Sequence, residues 1–575
     1  MDPPLDLVAF LAIQRSLSTF HVGRLGAAHL SELRRRTEMA QGAENGQHVP
    51  GTVLLEEQSD NIGALHIDHL KKVVHKNETV ILVPQPSDDP NDPLNSSLMK
   101  RDLRFLLFAY CGVLIIGGIG PILSSLVPEL MVLFNVSLSD VSLLTGYSLC
   151  ATGAAGIIIS AATRKYGKRP TLLFSVACAF IGTVWGGAAH SYNSLLGARV
   201  VQGFSVSMFE SIFFAIVGDM YFLHERGFRT SIVTTVVSGI SNLPAVLAGK
   251  ITTDLGWRWV FWMLSIFLGI GLVLCVLFGW ETAYNRRSIY NTDVASQDNL
   301  NELEAKRVAK VDHIEGRVDG ISKVETATST TIPRQSFLTL MKPYSETFTD
   351  EPLWKLIIAP VMILHNPVVI WAIMLMAFPT LWLVAINLLT AQIFTAPPFL
   401  LNTTKLGYLS AGPTVGGFLG ALIAGLVSDP MIRLFSRRNQ GVYEPEFRLF
   451  LIVPAFVLSA ISYFLFGYLI EQGKSPVAMA ALWGIATAAL QFIMMSIGTY
   501  CVDAYRAISV EIFIATMIVK NFLLYGFSYF INDWIARWGP AKMFYCIAGI
   551  QLVLCLSTVP LYMYGKRLRS WCHKA

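Results

Sequence analysis

Beyond residue 100 the chain alternates long apolar runs with short polar stretches. An α-helix rises 1.5 Å per residue, so about 20 consecutive apolar residues cross a bilayer core. Runs of that kind lie at 105–126, 141–162, 171–189, 195–217, 231–251 and 257–280. A second series lies at 367–392, 406–428, 447–469, 476–499, 509–531 and 541–564. Between the series, 281–366 is hydrophilic, with Arg286, Arg287, Lys306, Arg307 and Lys310 and a Ser/Thr-rich run over Thr326–Thr331. The pattern predicts an all-α integral membrane protein. Its twelve transmembrane helices form two six-helix bundles, 105–280 and 367–564, joined by a linker over 281–366. Residues 1–104 read as a largely irregular tail. Its end, Pro84 to Asn95, is so dense in Pro, Asp and Asn that it predicts an extended tether.

Lys and Arg concentrate in alternate loops, which sets an orientation. Arg164, Lys165, Lys168 and Arg169 follow the second run, and Arg226 and Arg229 the fourth. Arg433, Arg437, Arg438 and Arg448 follow the eighth, and Lys566, Arg567, Arg569 and Lys574 lie in the tail 565–575. The intervening loops 128–140 and 190–194 have none, and 395–405 has one. Both termini and the linker are therefore expected in the cytoplasm, with the plasma membrane as the setting. The glycosylation sequons at Asn135 and Asn402 fall in loops expected outside, which agrees.

Composition reinforces the pattern. Mean hydropathy is +0.52 and only 14% of residues are charged, against about 25% in soluble domains. Too little charge remains to cover a soluble particle of this size. The net charge of +5 comes without a basic, aromatic-interleaved array, which argues against a nucleic-acid partner. None of the eight cysteines forms a CxxC pair, and His66 and His69 stand without a nearby cysteine, so no metal site is expected. No GxxxxGK[ST] occurs, which disfavours an intrinsic ATPase. Nor is there a nucleophile, base and oxyanion set at plausible spacing. The expectation is a non-enzymatic monomer without a cofactor, whose partners are lipid, a small solute and protons.

Polar side chains inside a span are costly, so each is a candidate site residue. Glu210 lies mid-run, where a carboxylate can take a proton or a cationic solute. As a structural residue it would instead pair between helices. Asn242 precedes Pro244, which opens a helix locally. Asn387, Gln392, Gln491 and Asn521 either face a central cavity or tie helices together. Tyr147, Phe209 and Trp483 are candidate apolar walls. Gly117–Pro121 and Gly412–Gly417 offer close helix approach.

Seven strings in order carry a family resemblance: Pro84–Asn95, Arg199–Gly203, His224–Gly227, Gly256–Trp262, Glu281–Tyr284, Tyr443–Arg448 and Asp503–Arg506. They resemble the major facilitator superfamily, and within it the fungal twelve-span drug:proton antiporter group that includes Hol-type transporters. The resemblance covers roughly residues 80–570. It implies the major facilitator fold and alternating access about a midplane site. It also implies that Arg199 takes part in proton coupling, and that Gly167, Lys168 and Arg169 belong to a cytoplasmic gate. In that gate Arg164 replaces the usual acid and Ser160 the leading glycine, so the charge relay needs another acid. Asp219 or Glu225 is expected to pair with Arg164 or Arg169. Arg226, Asp429, Asp503 and Arg506 complete the gate. In the fifth span Gly239 and Pro244 fit the antiporter pattern, whereas Leu243 replaces its glycine. The implied function is proton-coupled export of an amphipathic metabolite or drug. The alternatives are uptake of a cation such as a polyamine, or a sensor without flux.

Overall fold

The computed structural model describes residues 53–54, 72–75, 78–81, 86–87, 89–211, 213–222, 229, 232–233, 235–236, 240–284, 336–439, 442–505 and 508–565. His66, His69, Glu225, Arg226, Arg506 and the tail from 566 lie outside them, as does the side chain of Asp429.

Before residue 285 the helices are α1 (Leu98–Gly112), α2 (Leu123–Phe134), α3 (Leu138–Tyr166), α4 (Lys168–Gly187), α5 (Tyr192–Ser211), α6 (Phe213–Met220), α7 (Leu243–Leu255) and α8 (Trp257–Phe278). After residue 335 come α9 (Phe337–Leu340), α10 (Leu353–Met362), α11 (Pro367–Phe394), α12 (Thr403–Leu409), α13 (Ala411–Arg438), α14 (Ile452–Glu471), α15 (Pro476–Ala504), α16 (Ser509–Trp538) and α17 (Pro540–Leu556). Among the described residues nine helices are long and apolar enough to cross a membrane. The first, fourth and fifth expected runs are not among these nine: α1 and α2 are separate helices, α5 and α6 are described in two stretches, and α7 is short. Ile266, Phe267, Ile270 and Val273 of α8, and Leu419, Leu422, Ile423 and Leu426 of α13, point outward in wide apolar faces. Water would not tolerate such faces on a monomer, and lipid does. This is a multi-pass membrane protein.

Local chemistry explains where the helices begin and end. Ser137 and Asp140 form a reciprocal capping box at the start of α3. Asn366 accepts from Val368 N, with Pro367 opening α11. Gly167 separates α3 from α4 at φ +92°. A Cβ there would also lie 2.3 Å from a Glu281 carboxylate oxygen, so only glycine serves. Gly416 lets α13 lie on α15: a Cβ there would meet the Gly484 carbonyl at 2.0 Å.

Five expectations need correction. The first run continues past 126 to Phe134, with a π turn over Val113–Gly117 and a break before α2. Pro128 is inside α2 rather than in a loop, as spans allow when neighbours satisfy the freed backbone. The tail before residue 100 contains an antiparallel pair, β2 (Lys72–His75) with β3 (Glu78–Ile81), and β1 (Val53–Leu54) pairs with β4 (Val442–Tyr443). The tether is a compact knot: the buried Asp92 carboxylate accepts from Ser87 N, Ser87 Oγ and Leu94 N at 3.0–3.1 Å. Asp with a short polar neighbour closes local turns more readily than it extends. Finally, the hydrophilic linker ends in an apolar helix, α10, which packs on α3 and α16.

The two sets of helices meet chiefly where α3 runs antiparallel to α16. From one end to the other, Arg164 faces Glu511, Gly156 faces Met517, Gly153 faces Asn521 and Phe522, Gly146 faces Ser528, and Ser142 faces Asn532. A second seam joins α7 to α12, with Gly249 against Thr403 and Gly407.

Candidate functional site

A cavity of about 500 Å³ lies between the two sets of helices. That is within the usual range for a drug-sized ligand. It is lined at one end by Pro121, Thr145 and Trp483 and at the other by Gly218 and Val502. Gly218 and Val502 immediately precede Asp219 and Asp503, so the cavity extends toward the end that bears the basic loops. Its walls are mostly apolar, with four methionines (Met376, Met494, Met495 and Met517), Trp483 and Phe513.

Among the described residues three charged side chains line it: Arg199, Glu210 and Lys520. Glu210, on the last turn of α5, reaches across to α16. Lys520 Nζ lies 2.9 Å from Glu210 Oε1, and Asn521 Nδ2 donates to Glu210 Oε2 at 2.9 Å. The side chains of Glu210 and Lys520 are 13% and 15% exposed, so the pair is largely desolvated yet reachable from the cavity. Lys520 is absent from the sequence candidates, although a lysine eleven residues into a span is as costly as Glu210 and its neighbour Asn521 is among them.

Arg199 is buried at 1% exposure. The break between α1 and α2 presents the Ile119 carbonyl, and Arg199 Nη1 donates to it at 2.6 Å and to Gln202 Oε1 at 2.9 Å. Gln202 Nε2 in turn donates to Thr183 Oγ1 at 3.0 Å. Among the described residues Arg199 Nε and Nη2 have no hydrogen-bond partner. Ser241, Asn242 and Asn387 also line the cavity, and Pro244 sits in the first turn of α7. Trp483 supplies a wall as expected. Phe209 is instead buried against Phe213, and Tyr147 stacks with Tyr525 and Tyr529 on the α3–α16 seam. Gln491 is fully buried, without a hydrogen-bond partner for its amide among the described residues. Gln392 Nε2 donates to the Asn532 carbonyl at 3.2 Å.

At the basic end the expected relay is rearranged. Arg164 pairs with Glu511 on α16 at 2.9 Å, not with Asp219. Asp219 pairs with Lys168. Arg169, expected to pair with Asp219 or Glu225, donates to the carbonyls of Gly279, Val276 and Met341 at 2.7–3.0 Å. A further acid, Glu281, caps α4: its carboxylate accepts from Lys168 N at 2.9 Å and Arg169 N at 3.0 Å, where the helix N-terminus is partly positive. Asp503 pairs with Arg448. Glu511 is not marked by the sequence, because it lies at a run end where acids are ordinary, and Glu281 is marked only as part of the Glu281–Tyr284 string, without a gate role.

At the opposite end the contacts between sets are neutral. Thr253 and Thr404 hydroxyls meet at 2.8 Å, Asn532 Nδ2 donates to Ser142 Oγ at 2.8 Å, and Tyr529 OH donates to Tyr147 OH at 3.1 Å. Both sequon asparagines are here and exposed. Asn135 ends α2 at φ +50°, and Asn402 caps α12 by accepting from Lys405 N.

The Major Facilitator Superfamily profile matches residues 106–518. Protein HOL1 of Saccharomyces cerevisiae is 22% identical over 92% of this chain and 96% of its own length. An uncharacterized MFS-type transporter of Schizosaccharomyces pombe is also 22% identical, over 92% of this chain and 94% of its own. A probable efflux pump, mfs2, of Aspergillus flavus is 21% identical over 76% and 96%. Among solved structures, the xylose transporter XylE from E. coli in a partially occluded inward open conformation aligns with a TM-score of 0.52 at 13% identity, over 81% of this chain and 98% of its own. With the profile spanning well over half of the sequence and the helices sharing that fold, the chain belongs to the Major Facilitator Superfamily and is a membrane transporter of that type.

Proposed function

We propose that the protein moves a small amphipathic solute by alternating access, driven by the proton gradient, with Glu210 as the proton-binding group. The observation that carries this reading is the Glu210–Lys520 pair across the cavity. A carboxylate held by an ammonium on the opposing set of helices couples its own protonation to the separation of the two sets. Protonation removes the charge that holds Lys520, and reionisation restores it. The mostly apolar cavity suits an amphipathic rather than a polar solute. Lys520 weighs against the cation reading, because the carboxylate that would receive a solute amine already holds one.

In this reading residues 105–280 and 367–564 act as two six-helix bodies, and the basic loops and both termini face the cytoplasm of a plasma-membrane protein. The ion pairs near Arg164 close the cytoplasmic end in one half of the cycle, and Arg199 contributes to proton coupling. Export is the direction it favours. Glycans on Asn135 and Asn402 would mark the outer face, visible as one mobility step for each sequon removed.

The test compares cells overexpressing the wild type with cells carrying Glu210→Gln at matched membrane abundance, on a panel of amphipathic toxins with intracellular accumulation measured. The amide still accepts from Lys520 and Asn521, so the fold is retained. Wild-type cells should accumulate less of at least one compound, a protonophore should abolish the difference, and Glu210→Gln should behave like the protonophore. Accumulation that ignores both the protonophore and the substitution rejects the reading.

A further inference from the structure

We infer that the solute is an amphipathic organic anion, a carboxylate, which replaces Glu210 on Lys520 while Glu210 takes up a proton. The inference rests on the proton-coupled alternating-access reading above, assigns its substrate class and, because proton and solute load together, turns its direction from export to uptake.

The sign of the cavity is the first observation. With Glu210 ionised, the charged lining residues among those described, Arg199, Lys520 and Glu210, sum to +1. The rest of the wall does not offset this. Residues 141–163 of α3 carry no Asp, Glu, Lys, Arg or His, nor do residues 230–249, residues 367–394 of α11 or residues 476–502 of α15. In a poorly solvated space an unbalanced positive charge attracts an anion and repels a cation.

The second observation is Arg199. It is 1% exposed, lines the cavity, and keeps Nε and Nη2 without a hydrogen-bond partner among the described residues. Buried guanidinium nitrogens are rarely left so. Arg199 precedes Glu210 by eleven residues on one helix, about 16 Å of rise. It therefore sets the sign of the cavity and does not meet a carboxylate seated at Lys520.

The third observation is the seat itself. Lys520 is the charged donor at the level of Glu210, and both are partly open to the cavity. When a solute carboxylate reaches Lys520, two carboxylates compete for one ammonium. Like charges sharing a site favour protonation of one of them. Glu210 also keeps a neutral partner, Asn521, whose side chain can accept from the protonated acid through Oδ1, an atom that has no hydrogen-bond partner among the described residues. Proton and anion thus enter together, and the cavity stays at +1 throughout. The apolar end of the solute lies against Trp483, Phe513 and the methionines.

The experiment uses the full chain in lipid nanodiscs with three isosteric probes: 3-phenylpropionate, 3-phenylpropylamine and 3-phenylpropan-1-ol. Binding is read by thermal shift and by proton uptake in weak buffer. The propionate should bind in preference to the other two and take up about one proton per molecule. Its apparent affinity should fall by up to about tenfold per pH unit as pH rises. Lys520→Gln should lose propionate binding and Lys520→Arg should keep it, which separates charge from folding. Glu210→Gln should bind the propionate with no proton uptake and no pH dependence. Preference for the amine, equal binding of the alcohol, no binding of any probe, or propionate binding without proton uptake each overturns the inference. Amine binding accompanied by proton-driven flux would do so while leaving the transport reading intact. Propionate binding never matched by counterflow in proteoliposomes would instead fail the transport reading.

Discussion

Two kinds of ion pair hold this molecule, and their exposure does not tell them apart. Lys168–Asp219 and Arg448–Asp503 each join helices within one set, whereas Arg164–Glu511 and Glu210–Lys520 join the sets to each other. All eight side chains are between 13% and 27% exposed. A pair within a set has the same partner in every arrangement of two rigid bodies and so contributes to stability. A pair between sets exists in only some arrangements and so biases an equilibrium. Breaking one pair of each kind therefore separates the two effects.

The largest effect is expected at Lys520→Met. It leaves the Glu210 carboxylate with the Asn521 amide as its remaining hydrogen-bond donor in a poorly solvated place. Removing one partner of a buried pair costs roughly 3–5 kcal/mol, and the partial exposure here puts the loss toward the lower end. Thermal stability of the purified protein should fall accordingly, and transport should be lost. Glu210→Gln combined with Lys520→Met should recover most of the stability, because no uncompensated charge remains, yet stay inactive. Activity in that double variant would make the pair structural and remove it from the cycle.

Next comes Arg164→Asp, which sets a carboxylate against Glu511. Like charges across the seam should open the basic end and shift the balance of arrangements by roughly 1–2 kcal/mol, about tenfold. Cysteine labelling at Gly218→Cys, on the cavity wall toward that end, would read the shift. Adding Glu511→Arg should restore the wild-type labelling rate. If the reversed pair fails to restore it, Arg164 acts through something other than Glu511.

Asp219→Asn supplies the contrast. It removes an acid from Lys168 within one set while the amide oxygen still accepts from Lys168, and a partly solvated pair is worth about 1 kcal/mol or less. Melting temperature should drop slightly while labelling at Gly218→Cys is unchanged. A change in labelling as large as that of Arg164→Asp would erase the distinction between the two kinds of pair.

That distinction was only half legible in the sequence. Apolar periodicity marks the nine long apolar helices found among the described residues, because burial in lipid acts on every residue of a helix and leaves a long, redundant signal. Within each set Asp219 and Asp503 stand out as gate candidates, although Asp219 meets Lys168 rather than Arg164 or Arg169. The pairs between sets were not legible. Glu210 and Lys520 are 310 positions apart, and Arg164 and Glu511 are 347. Nothing local records which helix of one set faces which helix of the other. The compact turn around Asp92 was missed for the opposite reason. Its cause is entirely local, but Pro and Asp signal an interrupted helix without stating which turn replaces it.

The smallest effect lies at the far end of the molecule. Thr253 and Thr404 join the sets through one exposed hydroxyl pair at 2.8 Å. Replacing both with valine keeps the side-chain shape and removes a neutral hydrogen bond worth about 1 kcal/mol or less. If contacts between sets bias the equilibrium according to the end on which they sit, this change must act in the opposite direction to Arg164→Asp. Loosening the sequon end favours arrangements open there, so labelling at Gly218→Cys should slow slightly while labelling at Thr145→Cys, toward the sequon end, should quicken. Movement of both labels in the same direction would mean that the valines loosen the helices generally, and that position along the seam does not determine what a contact between the sets controls.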